Sequence, residues 1–152
     1  MDDTAPTMPR LADFLCFAVY STNLAYGKAY KPILDKLGIT YTQWIAIVAL
    51  WEEDNQTVSS LGAKLFLESN TLTPILKKLE AMGLIRRQRS MADERQVIIS
   101  LTEEGRQLRE RGHQRTLIDA TGLSDDEFRA LQKIVSKVRD RLIDNTHGSE
   151  AD

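Results

Sequence analysis

The chain's single cysteine, Cys16, stands in Leu15-Cys16-Phe17-Ala18-Val19-Tyr20, with Tyr20 four residues on and Tyr30 fourteen on. A thiolate attacks a peroxide oxygen readily and becomes a sulfenic acid. Phenol O–H groups can donate to a thiolate and lower its pKa without adding a full positive charge. On a helix Tyr20 shares a face with Cys16, because residues four apart are neighbours. A pocket of aromatic rings around such a thiolate would favour greasy hydroperoxides over hydrogen peroxide. Tyr26 and Tyr41 suit packing better. A second reading stays open: a cysteine among apolar helical neighbours acts as a small hydrophobe, inert unless something stabilises its thiolate.

Other chemistry finds little support. One cysteine excludes an intrachain disulfide and a Cys-based zinc site. His113 and His147 are far apart, so no metal site is expected. No Gly-rich phosphate loop and no Ser/His/Asp arrangement occurs. Neither an enzyme, nor a catalytic residue, nor a cofactor is therefore expected.

A second group of residues suits nucleic acid. Residues 59–65 form a short helical pattern with Leu61 and Leu65 on one face. Residues 66–70 are a turn in which Ser69 or Asn70 can cap a second helix. This second helix buries Leu72, Ile75, Leu76, Leu79 and Met82 as one stripe and presents Thr71, Thr73, Pro74, Lys77 and Lys78 on the other side. Pro74 is expected within about the first turn, and Gly83 ends the helix. Residues 84–90 and 96–101 alternate as strands around a charged tip, Met91-Ala92-Asp93-Glu94-Arg95. Helix, turn, helix and hairpin in this order form a winged helix-turn-helix. Ser69, Asn70, Thr71 and Thr73 suit base edges in a major groove, and Lys77 suits phosphates. Arg95 on a projecting tip suits the negative minor groove, and Asp93 is placed to hold it.

The remaining elements position these two groups. Residues 1–9 read as a flexible arm. Residues 10–37 read mainly as helix, with Leu11, Phe14, Leu15, Ala18 and Val19 on its apolar side; Pro32 should kink or restart it near Tyr30. Thr40 and Gln43 fit a capping box, and Ile39 with Trp44 a hydrophobic staple. That helix should run to about Glu53 and bury Trp44, Ile45, Val48 and Trp51. Thr57 and Val58 can add a short third strand. Thr102 caps a helix expected to end near Gly122. Ser124 and Glu127 form another capping box, ahead of a stripe of Phe128, Leu131, Ile134, Val135, Val138 and Leu142. Residues 146–152 read as a tail. The fold class is mainly α with a small β-wing, in one domain over residues 10–145. The reader occupies residues 57–102. A two-fold dimer would cover the apolar surface of residues 10–37 and 103–145 and would require a palindromic site.

Composition agrees. With 28% charged and 42% apolar residues, the 152-residue chain is ordinary for a soluble globular protein. No apolar run is long enough to span a membrane, and residues 1–4 lack the features of a signal peptide, so the cytoplasm is the default location. Net charge is −2 overall, but residues 61–102 carry 7 basic and 4 acidic side chains, a local +3. The positive excess lies where phosphate contact needs it.

Asp93-Glu94-Arg95 followed by Leu101-Thr102 resembles the D-x-R…L-T wing signature of MarR-type transcriptional regulators. Residues 65–80, Leu-Phe-Leu-Glu-Ser-Asn-Thr-Leu-Thr-Pro-Ile-Leu-Lys-Lys-Leu-Glu, resemble more particularly the organic-hydroperoxide-sensing branch. The likeness extends from about Leu11 to Ile143 and includes the early cysteine with tyrosines at +4 and +14. It implies a homodimer through the N- and C-terminal helices, with Tyr20 and Tyr30 reaching Cys16 across the interface. It further implies a repressor of double-stranded DNA, released when organic hydroperoxide oxidises Cys16. Members with a second, resolving cysteine are a poor guide here, so a low-molecular-weight thiol, a sulfenamide or overoxidation must complete the chemistry. Two other functions stay open: a repressor released by a small phenolic or aromatic ligand, with Cys16 structural, and a thiol peroxidase.

Overall fold

The computed structural model describes residues 8–111 and 115–148. They belong to two compact units, Met1–Gly112 and His113–Asp152. The expected arm falls mostly, and the far end of the tail wholly, outside the described residues.

The first unit opens on a single 3-10 turn, Leu11–Asp13, in which the Asp13 carboxylate accepts the Arg10 N–H at 3.1 Å. Phe14 is extended (φ −87°, ψ 115°), so the helix expected from Arg10 is interrupted there and α1 runs Leu15–Leu37. It does not restart at Pro32, which sits inside it. One missing N–H is tolerated because the turns beyond Pro32 are held by Leu34 and Leu37 in the core. Gly38 ends α1 in the left-handed region, φ 69°, and buried Ile39 donates back to the Leu34 carbonyl at 3.2 Å.

Helix α2, Tyr41–Glu52, starts on the predicted capping box: the Gln43 N–H donates to Thr40 Oγ1 (3.3 Å) and the Thr40 N–H to Gln43 Oε1 (2.9 Å). Its buried set is Gln43, Trp44, Ala46, Ile47, Ala49 and Leu50, whereas Ile45, Val48 and Trp51 are only partly covered. The single expected stripe is replaced because α2 is the central helix, packed by α1 and by elements on several other sides. Buried Gln56 closes its end, donating to the carbonyls of Ala49 (3.2 Å) and Glu53 (2.6 Å).

Strand β1 is only Gln56–Thr57, and α3, Val58–Leu65, begins where the strand was expected to continue. Thr57 caps α3, accepting the Ser60 N–H at 3.0 Å. Helix α4 spans Ser69–Ala81. Strands β2, Ile85–Arg89, and β3, Val97–Leu101, form the hairpin, and β1 adds antiparallel to β3, giving the order β1-β3-β2. Register pairs Ile85 with Leu101 and Arg89 with Val97. The core unites Leu61, Leu72, Leu76, Leu79, Ile85 and Ile99 with the α2 set. Helix α5, Glu103–Arg111, is capped by Thr102, whose hydroxyl accepts the Gly105 N–H at 3.1 Å and donates to the Gly83 carbonyl at 2.6 Å.

The second unit holds α6, Arg115–Ala120, and α7, Asp125–Gly148. The expected single helix from Thr102 is described as α5 and α6, with residues 112–114 between them outside the described residues. The Ser124–Glu127 capping box is present, with bonds of 2.9 and 3.3 Å. Hydrogen bonds to the carboxylate from the Ser124 backbone N–H first, and then from its side chain, hold the Glu127 carboxyl below its ordinary range. Helix α7 continues to Gly148, past the point at which a tail was expected. Leu131, Ile134, Val135 and Leu142 on its stripe are exposed.

Candidate nucleic-acid interface and thiol site

Helix α4 offers its polar side to solvent as its periodicity dictates. Leu72, Leu76 and Leu79 are fully buried, while Ser69, Asn70, Thr71, Pro74, Lys77 and Lys78 are exposed and Thr73 is partly so. Three local expectations need correction. Ser69 and Asn70 lie inside the helix; the N-cap is Glu68, which makes no side-chain cap bond. Pro74 is the sixth helical residue, not in the first turn, so its ring withholds an N–H from the Asn70 carbonyl. Met82 ends the helix exposed instead of completing the buried stripe. The Thr73 hydroxyl also donates to the Ser69 carbonyl at 2.7 Å.

The wing tip is built by short polar bonds. The Ser90 N–H donates to the Gln96 carbonyl (2.8 Å), and Ser90 Oγ accepts from the N–H groups of Ala92 (3.2 Å) and Asp93 (3.3 Å). Asp93 Oδ1 accepts both the Arg95 N–H (3.1 Å) and Arg95 Nε (3.2 Å). The Arg95 side chain is nevertheless 92% exposed. Asp93 therefore fixes the base of a guanidinium that still projects from the tip.

Two ion pairs frame this surface, and neither is among the sequence-derived site residues. Glu80, near the end of α4, accepts from the Arg87 N–H (3.0 Å) and from Arg87 Nε (2.9 Å). The side-chain bond, then the backbone bond, holds the Glu80 carboxyl below its ordinary range. Asp54, in the turn after α2, accepts the Leu101 N–H at 2.9 Å and pairs with Arg106 of α5. Both partners are remote or on another element, so no helical or strand spacing marks them; only a carboxylate and an arginine on adjacent predicted elements hint at each.

Cys16 is exposed on α1. Leu11, Phe14, Cys16, Phe17 and Tyr20 line an open, almost wholly apolar hollow of about 360 Å³. Tyr20 is 59% exposed, with its ring 6.4 Å from that of Phe17. Helical periodicity puts Phe17 and Tyr20 near Cys16, but Leu11 and Phe14 arrive through the 3-10 turn, which a 3.6-residue period does not anticipate. Tyr30 is not brought to Cys16. Fourteen residues along one helix correspond to roughly 21 Å. Tyr30 packs against the core, 5.2 Å edge-on from Tyr41. Burial first, then the neighbouring Tyr41 and Tyr26, raises its pKa, so its phenol stays protonated and able to donate. Tyr26 stands within its electrostatic reach, and Tyr41 packs as expected.

Residues 28–111 match the family of SarA/Rot transcriptional regulators, a stretch that holds the winged helix and leaves Cys16 outside. An organic hydroperoxide resistance transcriptional regulator of Bacillus subtilis is 51% identical over 102 residues, which is 67% of this chain and 69% of that protein. The transcriptional regulator TtmR of Methylorubrum extorquens is 43% identical over 145 residues, 93% of this chain and 74% of its own. Among solved structures, reduced AbfR bound to DNA superposes with a TM-score of 0.70 at 38% identity, covering 88% of this chain and 95% of AbfR. AbfR is a protein of Staphylococcus epidermidis and has also been solved in a disulfide form and, on DNA, overoxidised.

Proposed function

Because this chain belongs to the MarR-type winged-helix transcriptional regulators, in the group of SarA/Rot and the organic hydroperoxide resistance regulators, we propose that it is a DNA-binding repressor released by organic hydroperoxide. It leaves a pseudo-palindromic operator when Cys16 is oxidised. The observation that carries this reading is an exposed thiol seated with Tyr20 in an apolar hollow, on a chain that also presents Arg95 on an Asp93-held wing.

Oxidation runs in one step at sulfur. The Cys16 thiolate attacks a peroxide oxygen; an S–O bond forms as the O–O bond breaks. The departing alkoxide takes a proton and leaves as the alcohol, and sulfur, having lost two electrons, becomes a sulfenic acid. A low-molecular-weight thiol then condenses with it, releasing water and leaving a mixed disulfide. Loss of the thiolate charge removes the acceptor for phenol donors.

Those donors imply a second copy. Tyr30 lies roughly 21 Å along α1 from its own Cys16, so only a partner chain brings the two together. The exposed apolar residues of the 3-10 turn (Leu11), of α1 (Leu15, Val19, Leu24) and of α7 (Leu131, Ile134, Leu142) support a homodimer through these helices. In it α4 enters successive major grooves about one turn apart. Thr71, Thr73, Asn70 and Ser69 face bases, Pro74 and Lys77 the adjoining backbone, and Arg95 the minor groove.

The test is fluorescence anisotropy on the promoter fragment nearest the gene, at low salt, titrating organic hydroperoxide into wild type and Cys16→Ser. Wild type should release DNA while the variant holds it. If both hold, the signal is a bound ligand; if both release, the reactive group is not Cys16.

A further inference from the structure

Strand β2 reads Ile85-Arg86-Arg87-Gln88-Arg89, three arginines in five residues, none of them among the DNA contacts above. The structure divides them. Side chains alternate along a strand, so Ile85, Arg87 and Arg89 share one face and Arg86 and Gln88 the other. Ile85 is buried in the core and Arg87 is held by Glu80 of α4, which identifies the shared face as the one turned toward α4. Arg89 continues on that face two residues further, about 7 Å along the strand, beyond the Glu80 carboxylate that holds Arg87. It is exposed, and no ion pair engages it among the described residues. It forms the final rung of the ladder, opposite Val97, at the base of the tip that carries Arg95.

Any duplex whose major groove takes α4 and whose minor groove takes the wing must run one phosphate ridge between them. We infer that Arg89 is the cation that meets this ridge, a backbone-phosphate contact, while Arg87 sets the spacing of α4 and wing through Glu80 and touches no DNA. Arg86, on the opposite face and about 10 Å back along β2, also makes no contact. This rests on the DNA-reading proposal above, and the experiment separates the two.

Each neutralised phosphate contributes about 0.9 to the slope of log affinity against log salt. A dimer on a palindrome uses two wings, so removing one contact per chain should flatten the slope by about two units. Arg86→Gln, Arg87→Gln, Arg89→Gln and Arg89→Lys would be compared with wild type, each by anisotropy between about 50 and 200 mM salt. The duplexes are the promoter fragment and an unrelated sequence of equal length. Arg89→Gln should flatten the slope on both duplexes with thermal unfolding unchanged, and Arg89→Lys should restore it. Arg87→Gln should keep the slope but lose affinity for the promoter alone, and Arg86→Gln should match wild type. A wild-type slope in Arg89→Gln, or a flattened one in Arg86→Gln, overturns the assignment while the repressor reading stands. A wild type that binds neither duplex sinks the repressor reading itself.

Discussion

At the level of single residues, the two proposed sites work by opposite means. Cys16 needs exposure and apolar neighbours, and it has both in the hollow of Leu11, Phe14, Phe17 and Tyr20. Arg95 needs reach and a fixed base, and Asp93 supplies the base through two bonds to one oxygen. Arg95→Ala should cost about tenfold or more in operator affinity, a loss of about 1.4 kcal/mol; Asp93→Ala should cost less, because the guanidinium survives without its guide. Anisotropy on the promoter fragment reads both. Glu80 makes a pH prediction. Its carboxyl is held below the ordinary value of 4.5 by the side-chain and backbone bonds to Arg87. A depressed carboxyl adds stability that is present above that ordinary value and lost as pH falls through the folded one. Glu80→Gln should therefore unfold at a lower temperature than wild type at neutral pH, and the gap should close on acidification. A gap that widens in acid would contradict the pairing.

Between elements, close backbone approaches set the geometry more than side-chain pairing does. A Cβ on Gly105 would stand 2.1 Å from the Leu84 carbonyl oxygen, so α5 lies directly on the chain entering β2. Gly105→Ala must push that backbone apart and should cost about 2–3 kcal/mol, lowering the melting temperature by roughly 5–10 °C. A Cβ on Gly62 would stand 2.7 Å from the Leu67 carbonyl oxygen, which makes Gly62→Ala a smaller version of the same insult across the helix-turn-helix. Trp51 Nε1 donates to the Gly105 carbonyl at 3.0 Å, and the Asp54 carboxylate joins Leu101 of β3 to Arg106 of α5. The first turn of α5 is thus bonded to α2, to the turn after α2 and, through Thr102, to Gly83 at the end of α4. A shift of α5 would be passed to the wing through these bonds, which gives the proposed release a mechanical route within the first unit.

For the molecule as a whole, the proposed dimer makes the sharpest prediction. Ile134 and Leu142 of α7 are each 61% exposed in the isolated chain. Replacing both by Glu would place unpaired charges in the proposed interface. Light scattering should then give half the wild-type mass, and operator affinity should fall far more than affinity for unrelated DNA, because one recognition helix cannot read a palindrome. A variant that stays dimeric would move the interface elsewhere.

The wing and the reader helix were legible in the order of residues alone, and of the candidate thiol site the pairing of Cys16 with Tyr20 on one helix face was. Each was written in short-range signals: the Thr40–Gln43 and Ser124–Glu127 boxes, Gly38 and Gly83 as helix stops, the alternation of Val97, Ile99 and Leu101, and a lone cysteine followed by a tyrosine four residues on. Such features depend on neighbours a few residues apart, where backbone geometry is fixed by local sterics and hydrogen bonding. Where local rules competed with packing, the sequence misled. Pro32 was expected to kink or restart α1, but the helix runs on through it, held by the core beyond; α2 was expected to bury one stripe, but it is surrounded; Ser69 and Asn70 offered caps, but the N-cap falls on Glu68. Long-range packing alone established that Arg87 belongs to Glu80, that Asp54 joins Leu101 to Arg106, that Gly105 admits no Cβ, and that Tyr30 packs on the core far from its own Cys16. The bonded pairs among these join residues separated by anything from 7 to 52 positions, and only the folding of separate elements onto a shared core brings such partners within bonding distance.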